Sequence, residues 1–144
     1  MTDISLSLEA RCDAVEECYE FMLAYAAQGL PSDEGSRSGG QIREYLGRAV
    51  KAISGLADSC ATAVKQERLD PAEKYRAFFA VLQRDASDSL AAIELVLAQP
   101  AIGSPLIDNL NASIHLRALL TDLFLLTEIA KIERTPAKPM ASSG

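Results

Sequence analysis

The sequence predicts an all-α fold, a four-helix bundle, and three observations carry that reading. Apolar residues recur at spacings of three and four through four long segments, the repeat that gathers side chains on one face of a helix. No stretch alternates apolar and polar residues with the period of two that a strand requires. Apolar residues make up 49 % of the 144, yet aromatics only 6 %, and tryptophan is absent. The core is therefore aliphatic and alanine-rich, which suits helices packed side by side. A chain of this length fits one domain, expected over residues 1–133. Residues 134–144, "RTPAKPMASSG", hold two prolines and no apolar period and read as a disordered tail.

The first helix is expected from about Leu6 to Gln28, with Leu8, Cys12, Val15, Tyr19, Met22 and Ala26 on one face. Gly29 suits its C-terminal cap and Pro31 blocks continuation. The polar, glycine-rich run that follows to Gly40 reads as a connector without a packing face. The second helix spans about Gln41 to Glu67. Its stripe is unbroken: Ile42, Leu46, Ala49, Ile53, Leu56, Cys60 and Val64, opposite Arg43, Arg48, Lys51, Asp58 and Lys65. "DPAE" opens the third helix, with Asp70 as N-cap, Pro71 at the first position and Glu73 reaching back. Tyr75, Phe79, Leu82, Ala86, Leu90, Ile93 and Leu97 then share a face. The fourth helix begins at "SPLID", with Ser104 as cap and Pro105 at the first position, and runs to about Glu133. Short second and third connections favour an up-down antiparallel arrangement. The first connection, about twelve residues, can span about 40 Å, so a crossover is within its reach.

The fourth helix has two apolar faces. At about 100° per residue, Leu116, Leu119, Leu123, Leu126 and Ala130 fall on one flank, and Ile107, Ile114, Ala118, Leu125, Ile129 and Ile132 on nearly the opposite one. Narrow polar strips separate them, one holding Arg117 and Glu128, the other Asp108, His115 and Asp122. A helix in an isolated bundle needs one broad face. The second is either internal, with this helix central, or an interface. Four helices leave little room for a central one, so the expectation is a homodimer through the fourth helix, seamed by Ile107, Ile114, Ala118, Leu125, Ile129 and Ile132.

Twenty acidic residues against 14 basic ones give a net charge of −6. Without a dense Lys/Arg run, such a chain repels phosphate backbones, which argues against nucleic-acid binding. Charges interrupt every apolar segment, so no membrane span is expected. Cys12, Cys18 and Cys60 are odd in number and form no C-x-x-C, which points to reduced thiols, a cytoplasmic setting and no zinc site. Cys12 and Cys60 sit in apolar stripes; Cys18 sits at the edge of one, where partial exposure is expected. "MTDISLSLEARCD" lacks the basic and apolar regions of a secretory leader.

His115 is the single histidine. One histidine cannot furnish the Glu-x-x-His pairs of a di-iron bundle. In "HLRALLTD", Ala118 and Leu119 stand where a histidine-phosphotransfer domain carries a lysine and then a small residue. His115 therefore reads as part of its polar strip, hydrogen-bonded near Asn111 and Asp122. On the first helix, Glu9, Asp13, Glu16 and Glu20, with Glu17 beside them, form an acidic ridge. It reads as a solvated face or as a docking surface for a basic protein partner. No catalytic constellation, cofactor motif or metal-ligand set stands out. The function expected is non-enzymatic, through protein–protein contact in an accessory, regulatory or chaperone-like role. The alternative is a small-molecule-binding bundle or cryptic enzyme, with a site among Tyr19, Tyr45, Tyr75 and Phe79.

Overall fold

The computed structural model describes residues 4–66 and 68–134, and is all-helical. Six helices form: α1 (Ile4–Ala27), α2 (Arg37–Ser54), α3 (Leu56–Gln66), α4 (Ala72–Leu97), α5 (Ser104–Ala112) and α6 (His115–Arg134). No strand occurs among the described residues. Of the expected tail 134–144, Arg134 closes α6 and 135–144 lie outside the described residues.

The expected second helix is divided at Gly55 into α2 and α3. Arg11 of α1 explains the break. Its Nη1 donates to the Ala52 carbonyl at 2.7 Å, and a Cβ at residue 55 would lie 2.7 Å from the guanidinium. Gly55 keeps near-helical angles, φ −97° and ψ 8°, so the stripe stays in register across the break. Ile42, Leu46, Ala49, Ile53, Leu56, Cys60 and Val64 are all buried.

The expected fourth helix is divided more sharply. Ser113 ends α5, its hydroxyl donating to the Leu110 carbonyl at 2.6 Å, and Ile114 adopts φ +62°. That left-handed conformation is uncommon for a β-branched residue. It swings α6 out of phase with α5, so the two no longer share one helical wheel. Ile107, which falls beside Leu125 on a continuous wheel, is 0 % exposed and packs in the core with Leu110. This corrects its place in the expected dimer seam.

Helix starts are also shifted. Pro71 occupies the N-cap of α4 without a side-chain cap hydrogen bond, so Asp70 does not cap it. Gly103 is the N-cap of α5 and Ser104 its first residue. Gly29 does take the left-handed conformation of a C-terminal cap, φ +67°.

One apolar cluster joins the helices, from Cys12 through Leu126. α1 touches α2, α3, α5 and α6; α4 touches the same four; α1 and α4 do not touch. Because α1 packs on two sides, its buried face is wider than one stripe. Cys18 and Tyr25 are 0 % exposed, which corrects the expected edge position of Cys18. Burial pushes the Cys18 thiol up to about 12, so it stays protonated and acts as a small apolar side chain.

The 29–36 connection packs, contrary to the expectation of a bare linker. Asp33 accepts from the Ile102 N–H at 2.6 Å and from Arg43 Nε at 2.8 Å. Arg43 in turn donates to the carbonyl of Leu97, one of those that helix α4 leaves unpaired at its C-terminal end, and to that of Gln99 just beyond it. Buried Ser104 donates to the Tyr25 carbonyl at 2.6 Å and accepts from the Leu30 N–H at 2.8 Å, and its own N–H donates to the Leu30 carbonyl. The Tyr25 hydroxyl donates to the Ile102 carbonyl at 2.7 Å. Ser36 caps α2 by accepting from the Gly39 N–H at 2.9 Å. These bonds lace the α1–α2 connection to the α4–α5 connection at one end of the molecule. Arg43 and the Ile102 N–H together hold the Asp33 carboxyl below its ordinary value of 3.8.

Candidate functional site

The α6 helix carries the most unusual surface. Its inner side is closed: Leu116, Leu119, Leu120, Leu123 and Leu126 are all buried. Its outer side stays apolar. Ile114 is 55 % exposed, Leu125 48 % and Phe124 44 %. Ala118 and Ile129 are half-buried between these positions. The Ile132 side chain is outside the described ones. Ala118, Leu125 and Ile129 lie at spacings of seven and four, one straight stripe on α6, with Ile114 just before its first residue. Four of the six expected seam residues, Ala118, Leu125, Ile129 and Ile132, thus fall on α6 and Ile114 directly precedes it, and Phe124 adds a ring that the wheel did not single out.

Charge flanks this stripe. Arg117 and Glu128 lie on one side of it, with the exposed Lys131 ammonium 3.5 Å from Glu128. Thr121 is spent on its own helix, donating to the Arg117 carbonyl. The outer face therefore offers apolar contact and rim charges, but no group positioned for chemistry.

Asp122 lies between the outer and inner sides and is a feature the sequence pattern missed. It is 9 % exposed, and its carboxyl hydrogen-bonds that of Asp85 on α4. A hydrogen bond between two carboxyls needs one of them protonated, so the contact favours a proton on the pair. Burial first, then the hydrogen bond and the charge of Asp85, push Asp122 up from 3.8 to about 7. The folded state thus binds a proton that the unfolded chain releases near pH 4. The stabilisation this gives is complete below that pH and is lost as the pH rises to about 7. Asp122→Asn supplies an amide donor to Asp85 at every pH. At pH 8 it is expected to be more stable than wild type by about 1–3 kcal/mol, with the gap closing towards pH 4. Urea unfolding at several pH values checks this; parallel profiles for the two proteins would contradict it.

His115 opens α6 and is half-buried. No hydrogen bond joins it to Asn111 or Asp122 among the described residues: the bend at Ser113 and Ile114 separates it from Asn111, and Asp122 faces Asp85. The expected polar strip is therefore not a hydrogen-bonded unit. Both polar atoms of the Asn111 side chain are buried without a partner.

On α1, Asp13, Glu17 and Glu20 are exposed, and Glu9 and Glu16 half-buried. The ridge acts on Cys12, whose thiol is pushed up to about 11 by burial and then by the charges of Glu16, Asp13 and Glu9. Arg48 of α2 feels Glu44 first and also Glu17, a partial offset of the ridge. An acidic face of this kind attracts basic surfaces and is screened by salt.

Two of the four aromatics of the alternative site, Tyr75 and Phe79, pair with each other, and the other two pack elsewhere. Tyr45 stacks on Phe21 with ring centroids 4.4 Å apart, and Tyr75 meets Phe79 within α4 at 6.1 Å. Tyr19 packs against the core. Among the described residues no three or more His, Cys, Asp or Glu side chains are grouped to hold a metal ion, and no helix is long and apolar enough to cross a membrane.

Comparison with protein-family models, with curated proteins and with solved structures finds no match. The functional reading therefore rests on the surfaces themselves, and the outer face of α6 is the one that departs most from an ordinary solvated helix.

Proposed function

We propose that the protein is a cytoplasmic, non-enzymatic helical protein that works through protein–protein contact, and that its first partner is a second copy of itself, seated on the outer face of α6. In this reading the six helices act as four rods, α1, α2–α3, α4 and α5–α6, in up-down order. Each rod touches two others, so no rod is central and, among the described residues, no other helix covers the second apolar face of α6. The observation that carries the proposal is the exposure of Phe124 and Leu125 on α6, and of Ile114 just before it, with the opposite side of the helix closed.

A second copy is favoured because the stripe is self-complementary. An antiparallel two-fold axis passing between Thr121 and Asp122 sets Ile114 against Ile129 of the partner subunit and Ala118 against the partner's Leu125. Ala118 then gives room to the partner's Leu125, while isoleucine meets isoleucine at either end of the stripe. The same axis brings Arg117 towards Glu128 of the partner subunit on the shared flank. Burying one leucine or isoleucine side chain contributes about 1.5–3 kcal/mol, so a few on each side can sustain a dimer against the cost of association. The acidic ridge of Glu9, Asp13, Glu16 and Glu20 is left free in this arrangement to receive a basic partner.

Leu125→Glu places two like charges in the seam and is expected to halve the mass seen by light scattering after size exclusion, to the 15.4 kDa of one chain. Leu95 on α4 is 66 % exposed but lies outside the seam, so Leu95→Glu leaves the mass unchanged. Equal effects of the two substitutions, or none from Leu125→Glu, would overturn the proposal.

A further inference from the structure

Between α3 and α4 lies an open groove of about 270 Å³, lined by Cys60, Ala61, Val64 and Lys65 of α3 and by Arg76, Phe79, Ala80 and Gln83 of α4. The spacings explain it. Each set lies along one face of its helix. Ala61 and Ala80 are too small to fill the space between two helices, whereas Val64 and Phe79 give it walls. The groove is just under the usual range of small-molecule sites, about 300–1,000 Å³, so its occupant is small.

Its charge is placed at one end. Lys65 is in the last turn of α3 and Arg76 in the second turn of α4, on either side of the short turn that joins the helices. Both are exposed, and among the described residues neither is ion-paired. Segment 65–76 carries four basic and three acidic side chains in a chain whose net charge is −6. Away from the turn, the floor is apolar, with Cys60 and Val64 buried. Burial pushes the Cys60 thiol up to about 12, so the floor adds no negative charge.

We propose that this groove binds a small amphiphilic anion, a medium-chain monocarboxylate, with its carboxylate between Lys65 and Arg76 and its apolar chain laid over Val64, Phe79 and Ala80 towards Gln83. Arg76 supplies a planar fork that matches a carboxylate, Lys65 a second point of charge, and the two helix faces supply the apolar contact. The site is independent of the α6 surface, which lies on a different helix, and neither depends on the other.

Octanoate is the probe, titrated into the full-length protein and followed by amide chemical shifts and calorimetry, beside octanol, octylamine and phosphatidylglycerol vesicles. Shifts confined to α3 and the first half of α4, saturating at millimolar octanoate, are expected. Octanol and octylamine bind at least about tenfold more weakly, because each lacks the charge that the two cations pair with. Arg76→Gln and Lys65→Gln each weaken octanoate at least about threefold, and both positions are exposed, so the fold is retained. Ala80→Leu fills the groove while keeping both cations and abolishes binding. The proposal is overturned if octanoate gives no saturable shifts, if octanol binds as tightly, or if the substitutions leave the affinity unchanged. Binding to the vesicles without binding to octanoate also overturns it, since the surface would then recognise a membrane and not a free anion.

Discussion

Gly39→Ala is expected to destabilise the protein by about 3 kcal/mol or more, although alanine is the better helix former by about 0.5–1 kcal/mol. Gly39 is buried in the first turn of α2, and a Cβ there would overlap the Asp33 carbonyl and its neighbouring backbone atoms. Backbone cannot step aside as a flexible side chain can. Relief would require the 32–36 turn to move, carrying Asp33 away from the Ile102 N–H and from Arg43. Gly40 and Gly47 supply the contrast on the same helix. Neither has an atom within 4 Å of an added Cβ, so alanine there is expected to stabilise by about 0.5–1 kcal/mol. The sign therefore reverses between adjacent glycines. Urea unfolding of the three variants checks it, and a Gly39→Ala protein as stable as Gly40→Ala would show that the turn is not packed as described.

Asp33→Ala removes the acceptor that both connections share. The Ile102 N–H, in a residue 0 % exposed, loses its partner, which costs about 1–3 kcal/mol. Arg43 also loses its counter-charge. Its side chain is 36 % exposed, so water replaces much of that interaction and the additional loss is about 0–1 kcal/mol. A total of about 1–4 kcal/mol follows. Asp33→Asn retains one carbonyl oxygen for the Ile102 N–H and is expected to lose about half as much. The acid response gives a second readout. Because the folded carboxyl is held below its unfolded value of 3.8, its contribution is present above that pH and is lost as the pH falls through the folded value. Asp33→Ala therefore flattens the acid limb of the stability profile. Faster exchange of the Ile102 amide in the variant localises the effect; unchanged stability and exchange would contradict it.

The stripe of α2 and α3 could be followed in the sequence because Gly55 bends the chain without turning it out of register. Its seven apolar residues are buried where the spacing puts them. The division of the last helix left no comparable mark. A helix end is usually signalled by glycine or proline, yet the left-handed position is filled by Ile114 and the closing bond is made by Ser113. With that bend invisible, a continuous wheel sets Ile107 beside Leu125, although it belongs to the core. The 29–40 segment misleads in another way. Serine, aspartate and glycine there look like solvated connector, and nothing local shows that Asp33 reaches residue 102 or that Gly39 lies under its carbonyl. Long-range polar pairing has no periodicity. The same holds for Asp122, which looks like one more charge in a polar strip until α4 supplies Asp85 opposite it. Cys18 was misplaced because α1 is packed on two sides, which one stripe does not reveal.

The outer stripe of α6 was legible in the sequence, and its exposure in the fold gives it a physical reason to seek a partner. That stripe is the central claim, and sedimentation equilibrium of the unmodified protein tests it most directly. The expected result is a mass that rises with concentration through the micromolar range to twice the 15.4 kDa of the chain. A mass that stays at 15.4 kDa at high micromolar concentration would contradict self-association through α6.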